Sequence, residues 1–138
     1  MSEHGAAQHR RRERAFELLY EQSIKGRSTA SLLNDLPFQP DAYTVELLRA
    51  VEQHHEWAES LLSAHSNEWP LERMALVDRI IMTLALCELR MVDAPPRAVV
   101  LDEAVEFAKT YSTDASPSFV NGLLAACVSD PQGGLPLC

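Results

Sequence analysis

Apolar residues recur along this chain at steps of three and four, which is the spacing of one face of an α-helix. In the first such stretch the face consists of Ala15, Phe16, Leu19, Tyr20 and Ile24. Further helical faces follow, and no segment shows the apolar–polar alternation of a half-buried strand. The pattern predicts an all-α protein of six to seven helices, arranged either as one bundle or as two small bundles that share a central helix.

Residues with special backbone or capping properties mark the predicted helix limits. Gly26 ends the first helix, and Ser28 can cap a short second one. Asp41 is the predicted cap of a long third helix that runs to about Ser66. Ser116, followed by proline, is predicted to cap the last helix. We therefore expect short connections between most of the helices.

The segment 73–91 is apolar on nearly all sides, so its helix is expected at the centre of the domain. In the last helix, Gly122 lowers helix propensity, and close packing by a neighbouring element is the expected reason. Residues 1–8 are predicted to be a flexible N-terminus and residues 131–138 a flexible tail. A single domain is therefore expected over residues 9–130.

Charge is distributed unevenly along the 138 residues, whose net charge is −8. Residues 1–27 hold six basic and four acidic residues and carry +2, while the remainder holds six basic and sixteen acidic residues and carries −10. Arg10, Arg11 and Arg14 form a cationic strip beside the apolar face of the first helix. Such a strip is either a solvated face, with Arg10 paired to nearby glutamates, or a nucleic-acid surface.

Two aromatic residues bear on that choice. Tyr20 lies on the same helix as the strip, and Phe119 lies near the start of the last helix. Single-stranded RNA is held by cations on its phosphates and by aromatic rings under its bases. Both rings also fit an ordinary core position, so the two interpretations stay open on these residues alone.

Enzymatic chemistry has little support in the sequence. There is no phosphate-binding glycine loop, nucleophile elbow or metalloprotease motif. His54 and His55 are adjacent and point in different directions on a helix, and acids such as Asp102 and Glu103 are expected on solvated faces. Cys87 and Cys127 are expected to be buried, reduced thiols. No secretory signal or membrane-spanning run appears, so we predict a cytoplasmic, non-enzymatic protein without metal or cofactor.

Three stretches of the chain carry recognisable motifs: RRRERAFELLY at 10–20, WPLERMALVDRIIMTLALCEL at 69–89, and APPRAVVLDEAVEFAKTYSTDASPSFVNGLLAA at 94–126. They resemble the NusB family of transcription antitermination factors. The resemblance implies a NusB-like fold of two three-helix subdomains. It also implies binding of boxA-type single-stranded RNA together with NusE, a small-subunit ribosomal protein, during transcription of ribosomal RNA. The RNA polymerase antitermination complex would be an indirect partner, and some family members form homodimers.

Site residues follow from the same resemblance, position by position. With the arginine strip included, the expected RNA-binding residues are Arg10, Arg11, Arg12, Arg14, Tyr20, Asp114, Ser116 and Phe119. The resemblance places Asp78 and Arg79 near the contact with NusE.

This chain departs from the family pattern at several of these places. Thr83 stands where an arginine is usual, Cys87 replaces a tyrosine, Asp102 replaces an asparagine, and Pro117 and Ser118 replace residues that are often basic. The alternative hypothesis is therefore a NusB-fold protein–protein or homodimerisation module with weak or lost RNA binding. A fragment of an RNA methyltransferase is a third hypothesis, since NusB-like domains also precede such enzymes.

Overall fold

The computed structural model describes residues 3–67 and 69–135, and within these residues all regular structure is helical. Six α-helices and a short 3-10 helix, Leu71–Arg73, are present there. The α-helices are α1 (Glu3–Lys25), α2 (Thr29–Asp35), α3 (Ala42–His65), α4 (Leu76–Leu89), α5 (Arg97–Tyr111) and α6 (Ser116–Val128). The predicted all-α class is confirmed.

The helices form two groups of three that share one core. Helices α1, α2 and α3 contact one another, and so do α4, α5 and α6. The groups are joined where α3 lies against α4 and α6 and where α1 lies against α4. Buried apolar residues from all six α-helices form one continuous hydrophobic cluster. The two groups therefore bury their apolar faces against each other as well as internally.

Helix α4 is central, as its composition predicted. Every residue from Ile80 to Leu89 is buried, including the polar Thr83 and Glu88. Burying a carboxylate is costly unless it is paired and hydrogen-bonded. Glu88 therefore requires a cation or hydrogen-bond donors at its carboxylate.

Three of the predicted helix limits are confirmed and one needs correction. Gly26 has φ +64° after α1, and the Ser28 hydroxyl accepts a hydrogen bond from the Ser31 amide at 3.1 Å. Asp41 occupies the N-cap position of α3 as predicted, although its carboxylate binds Arg11 and makes no capping hydrogen bond. Ser116 is the first residue of α6 rather than its cap, and its hydroxyl points inward.

Both chain ends have defined structure or contacts over the described residues of the segments that were predicted to be flexible. Helix α1 begins at Glu3, so the predicted flexible lead-in is helical over residues 3–8. After α6 the chain folds back on α3, where Trp57 Nε1 donates to the Gly133 carbonyl at 2.7 Å and His65 contacts Asp130 at 2.8 Å. The predicted free tail is therefore attached over residues 131–135. Residues 1–2 and 136–138 lie outside the described residues.

Gly122 does not serve the purpose predicted for it. The residue is exposed on α6, and a Cβ added there would meet no atom within 4 Å. Close packing of a neighbouring element is therefore not the reason for this glycine, and nothing in the described structure explains it.

Candidate nucleic-acid interface

The arginines of α1 that face solvent are Arg10, Arg11 and Arg14. Arg10 is exposed and makes no ion pair with the described residues. Arg11 donates to the Asp41 carboxylate at 3.0 Å, and Arg14 lies 3.6 Å from Glu17. Because exposed ion pairs contribute little free energy, Arg11 and Arg14 remain able to contact a phosphate. All three can therefore contribute to an anion-binding surface.

Arg12 has a different environment, because it is buried and only 4% exposed. Its Nε donates to both carboxylate oxygens of Glu88 at 2.9 Å, and its Nη1 donates to Glu103 at 3.0 Å. The Tyr43 hydroxyl also donates to Glu88, and His9 Nδ1 lies 2.8 Å from the Glu103 carboxylate. One guanidinium thus links α1 to both α4 and α5.

The electrostatics of this buried cluster favour a charged Arg12. Burial alone would lower the pKa of Arg12, but the hydrogen bonds to Glu88 and Glu103 and the charge of Glu88 outweigh it and raise that pKa. Burial and the hydrogen bond to Glu88 raise the pKa of Tyr43 well above its usual range. The cluster therefore holds α1 in place. Arg12 therefore lies in a buried cluster and not on the exposed arginine strip, and its contact with RNA stays a prediction.

The sequence analysis did not identify the two carboxylates that pair with Arg12. Glu103 was expected on a solvated face, yet it is buried, and the side chain of Glu88 on α4 is also buried. Both acids occur among apolar residues of a buried helical face. That position could have indicated a buried cationic partner, because a buried carboxylate requires a cation or several hydrogen-bond donors.

A second candidate region is the loop between α5 and α6. Asp78, buried in the first turn of α4, accepts hydrogen bonds from the hydroxyls of Ser112 at 2.7 Å and Ser116 at 2.9 Å. Ser116 is itself only 3% exposed. Asp78 and Ser116, predicted to contact NusE and RNA respectively, therefore bind each other and fix the loop. Asp114 lies exposed on this loop.

An open cavity of about 420 Å³ adjoins this loop. Its walls include Phe119 on α6 and two residues that the sequence analysis did not select, Trp69 and Arg73. Trp69 is 51% exposed, Arg73 is exposed, and Phe119 is partly buried against the core. Arg73 thus supplies a cation beside Phe119, where the sequence lacks the basic residues usual just before this phenylalanine. The sequence feature that could have indicated Arg73 is the WPLER segment at 69–73, in which an aromatic residue and an arginine lie on either side of Pro70.

Tyr111 connects α1 with the α5–α6 loop. Its hydroxyl donates to Glu13 of α1 at 2.6 Å, and its ring centroid lies 4.9 Å from that of Phe16. The hydrogen bond to Glu13 and partial burial raise the pKa of Tyr111 to about 12. Tyr111 immediately precedes Ser112, so this hydrogen bond ties α1 to the start of the α5–α6 loop. Tyr20, which is 40% exposed, packs against the same Phe16 at 6.5 Å.

The side chain of Arg79 makes contacts separate from those of Asp78. Its Nη2 is 3.7 Å from Glu59 on α3, and it lines a separate cavity of about 540 Å³ with Thr83 and Leu19. Asp78 lines the cavity beside Phe119 instead. The side chains of Asp78 and Arg79 thus line different cavities, and their position near the contact with NusE stays a prediction.

Other kinds of site find no support in the described part of the chain. No group of three or more metal-binding side chains occurs among residues 3–67 and 69–135. Cys87 and Cys127 are buried and free, as predicted, and burial raises the pKa of each thiol to about 12. Over the same residues, no helix has the length and apolar character needed to cross a membrane.

The described fold is all-helical, with exposed arginines on α1 and a cavity lined by Phe119 and Arg73 beside the α5–α6 loop, to which Tyr111 ties α1. Residues 9–129 match the family model of the NusB family. The chain belongs to the NusB family of transcription antitermination proteins.

Curated relatives and solved structures agree with this assignment. "Transcription antitermination protein NusB" of Streptomyces griseus is 42% identical over 129 residues, covering 87% of this chain and 90% of that protein. The protein of the same name from Bifidobacterium animalis is 40% identical, covering 86% of this chain and 80% of that protein.

Two solved structures share the fold. The T. maritima NusB structure superposes with a TM-score of 0.76 at 29% identity, covering 86% of this chain and 87% of that chain. A chain from a crystal structure described as a plectonemic RNA supercoil gives 0.73 at 24% identity, covering 86% and 92%. These likenesses support the NusB fold assigned from the helices.

Proposed function

We propose that this chain is an RNA-binding transcription antitermination factor that binds boxA-type RNA together with NusE and acts in transcription of ribosomal RNA. The observation that carries the proposal is that, in a chain of this family, exposed cations and an aromatic ring lie on two regions that Tyr111 ties together. Arg10, Arg11 and Arg14 lie on α1, and Arg73 and Phe119 line the cavity beside the α5–α6 loop. Cations on phosphate and rings under bases are the chemistry that holds single-stranded RNA.

The size of the salt dependence tests this surface. Four cations on phosphate predict a slope of about −3 for log K against log salt concentration with single-stranded RNA. The measurement is fluorescence anisotropy of a labelled boxA-type RNA, titrated with the chain alone and with NusE from the same source. Absence of salt-sensitive binding in both titrations would contradict the proposal.

A variant locates the binding more closely. Arg10→Ala is expected to weaken RNA binding and reduce the slope by about 0.7, because one phosphate contact is lost. The melting temperature should stay unchanged, since Arg10 makes no ion pair with the described residues. Lys25→Ala is the matched control, because it removes one cation from the same helix about 22 Å farther along. Equal losses in the two variants would mean that only overall charge matters.

A protein–protein or homodimerisation role with weak RNA binding is the second candidate. The observation that favours it is the neutralisation of α1, where Arg12 is buried and Glu17 lies beside Arg14. Light scattering separates the two functions. A concentration-dependent dimer that binds neither RNA nor NusE supports the second candidate, and a monomer that binds RNA supports the first.

A further inference from the structure

The connection between α2 and α3 presents an aromatic ring to solvent. Phe38 is 87% exposed, although most large apolar side chains of the described structure are buried. Pro37 and Pro40 flank it on either side and restrict the backbone of the connection. A ring held outward on a restricted backbone loses little conformational entropy when it binds a flat partner.

The connection is fastened at both ends. On the α2 side, Gln39 Nε2 donates to the Leu33 carbonyl at 2.9 Å. On the α3 side, Asp41 accepts from Arg11 at 3.0 Å, and the Thr44 hydroxyl donates to the Arg11 carbonyl at 3.0 Å. The connection therefore ends against α1 at Arg11.

This attachment places the connection that carries the ring against Arg11 of α1. Two residues, Gln39 and Pro40, separate Phe38 from Asp41, so the Cα atoms of Phe38 and Asp41 lie within about 11 Å of each other. The guanidinium of Arg11 is partly exposed, and its ion pair with the exposed Asp41 is of the weak surface type. A phosphate can therefore compete with Asp41 for Arg11.

We propose that Phe38 stacks on a base of single-stranded RNA whose neighbouring phosphate is held by Arg11. An exposed aromatic ring on a connection that is fastened to an arginine matches this ligand, since every base offers a face for stacking and every nucleotide carries a phosphate. The proposal rests on the proposed RNA binding and extends that surface from α1 onto the α2–α3 connection.

The test compares substitutions at Phe38 in the RNA titration described above. Phe38→Ala is expected to weaken RNA binding by about 5- to 150-fold, the range measured for loss of one stacked base. The salt slope should not change, because no phosphate contact is removed, and Phe38→Trp should keep the affinity. Val92→Ala is the matched control, since Val92 is also apolar and is 91% exposed. The melting temperature of each variant is measured alongside.

Each outcome has a defined meaning. If the unaltered chain binds RNA and Phe38→Ala binds it equally tightly, the stacking proposal is wrong and the RNA function stands. If Phe38→Ala impairs NusE binding in the absence of RNA and leaves RNA affinity unchanged, the ring serves a protein partner and the stacking proposal is overturned. If the unaltered chain binds no RNA with or without NusE, both proposals fail.

Discussion

Arg10 and Arg12 occupy the same turn of α1 and have opposite environments. Arg10 projects into solvent, whereas Arg12 is enclosed by carboxylates from α4 and α5. A run of basic residues on a helix therefore cannot be counted as a single binding surface. Part of the basic run secures the helix to the body of the protein, and the rest faces outward for a ligand.

The largest expected effect comes from removing the buried member of this pair. Arg12→Ala leaves Glu88 and Glu103 without their cation, so we expect a loss of about 3–5 kcal/mol in the free energy of unfolding. That is a large part of the total stability of a domain this size. Urea denaturation followed by circular dichroism measures the loss.

Two further variants sharpen the result. Arg10→Ala should change the free energy of unfolding by less than about 0.5 kcal/mol, as is usual for an exposed substitution. The double variant Arg12→Ala with Glu88→Ala should lose less than the sum of the single losses, because the uncompensated charge on Glu88 is also removed. If Arg12→Ala were no more harmful than Arg10→Ala, the buried cluster would not be what holds α1 in place.

The contrast between the two arginines also shows what the sequence could predict. The number of helices, the all-α class and the central position of α4 follow from the spacing of apolar residues, because this spacing can be read directly along the chain. Pairing between Arg12 and Glu103 joins residues 91 positions apart, and such a contact depends on how the helices pack. The same applies to Asp78, whose hydrogen bonds to Ser112 and Ser116 join residues more than 30 positions apart.

The site was predictable to the extent that its residues are local to one helix. Arg10, Arg11 and Arg14 were found from their spacing, and Phe119 from its motif. Arg73 lines the same cavity as Phe119 although the two residues lie 46 positions apart, an arrangement that no periodicity encodes.

A second buried anchor offers an intermediate test of the same contrast. Asp78→Ala removes the acceptor for the buried Ser116 hydroxyl, so we expect a loss of about 1–3 kcal/mol in the free energy of unfolding. Ser112 and Ser116 keep their mutual hydrogen bond at 2.9 Å, which limits the loss. Asp78→Asn retains an acceptor oxygen and should lose less than half as much. Chemical denaturation of both variants measures this, and equal losses would show that the charge of Asp78 matters more than its acceptor geometry.

The smallest expected effect comes from changing the hydrogen bond from Tyr111 to Glu13. This bond lies between the exposed and the buried faces of α1. This bond and partial burial raise the pKa of Tyr111 to about 12, against an ordinary value of about 10. Since the folded-state pKa is raised, the bond contributes its stability fully below pH of about 10 and loses it as pH rises through about 12. The contribution is small because the Tyr111 side chain is 37% exposed.

Glu13→Gln should move the pKa of Tyr111 toward its ordinary value, because the amide can accept the hydrogen bond without a negative charge. Near-ultraviolet absorbance during a pH titration follows tyrosinate formation, and the difference from Tyr111→Phe isolates this residue. Glu17→Gln is the matched control, because Glu17 acts on Tyr111 only through a weaker charge effect and should shift its pKa less. If Tyr111 in the unaltered chain titrated near 10, the hydrogen bond that joins α1 to the α5–α6 loop would be absent in solution, and the two halves of the proposed surface would not be held together through it.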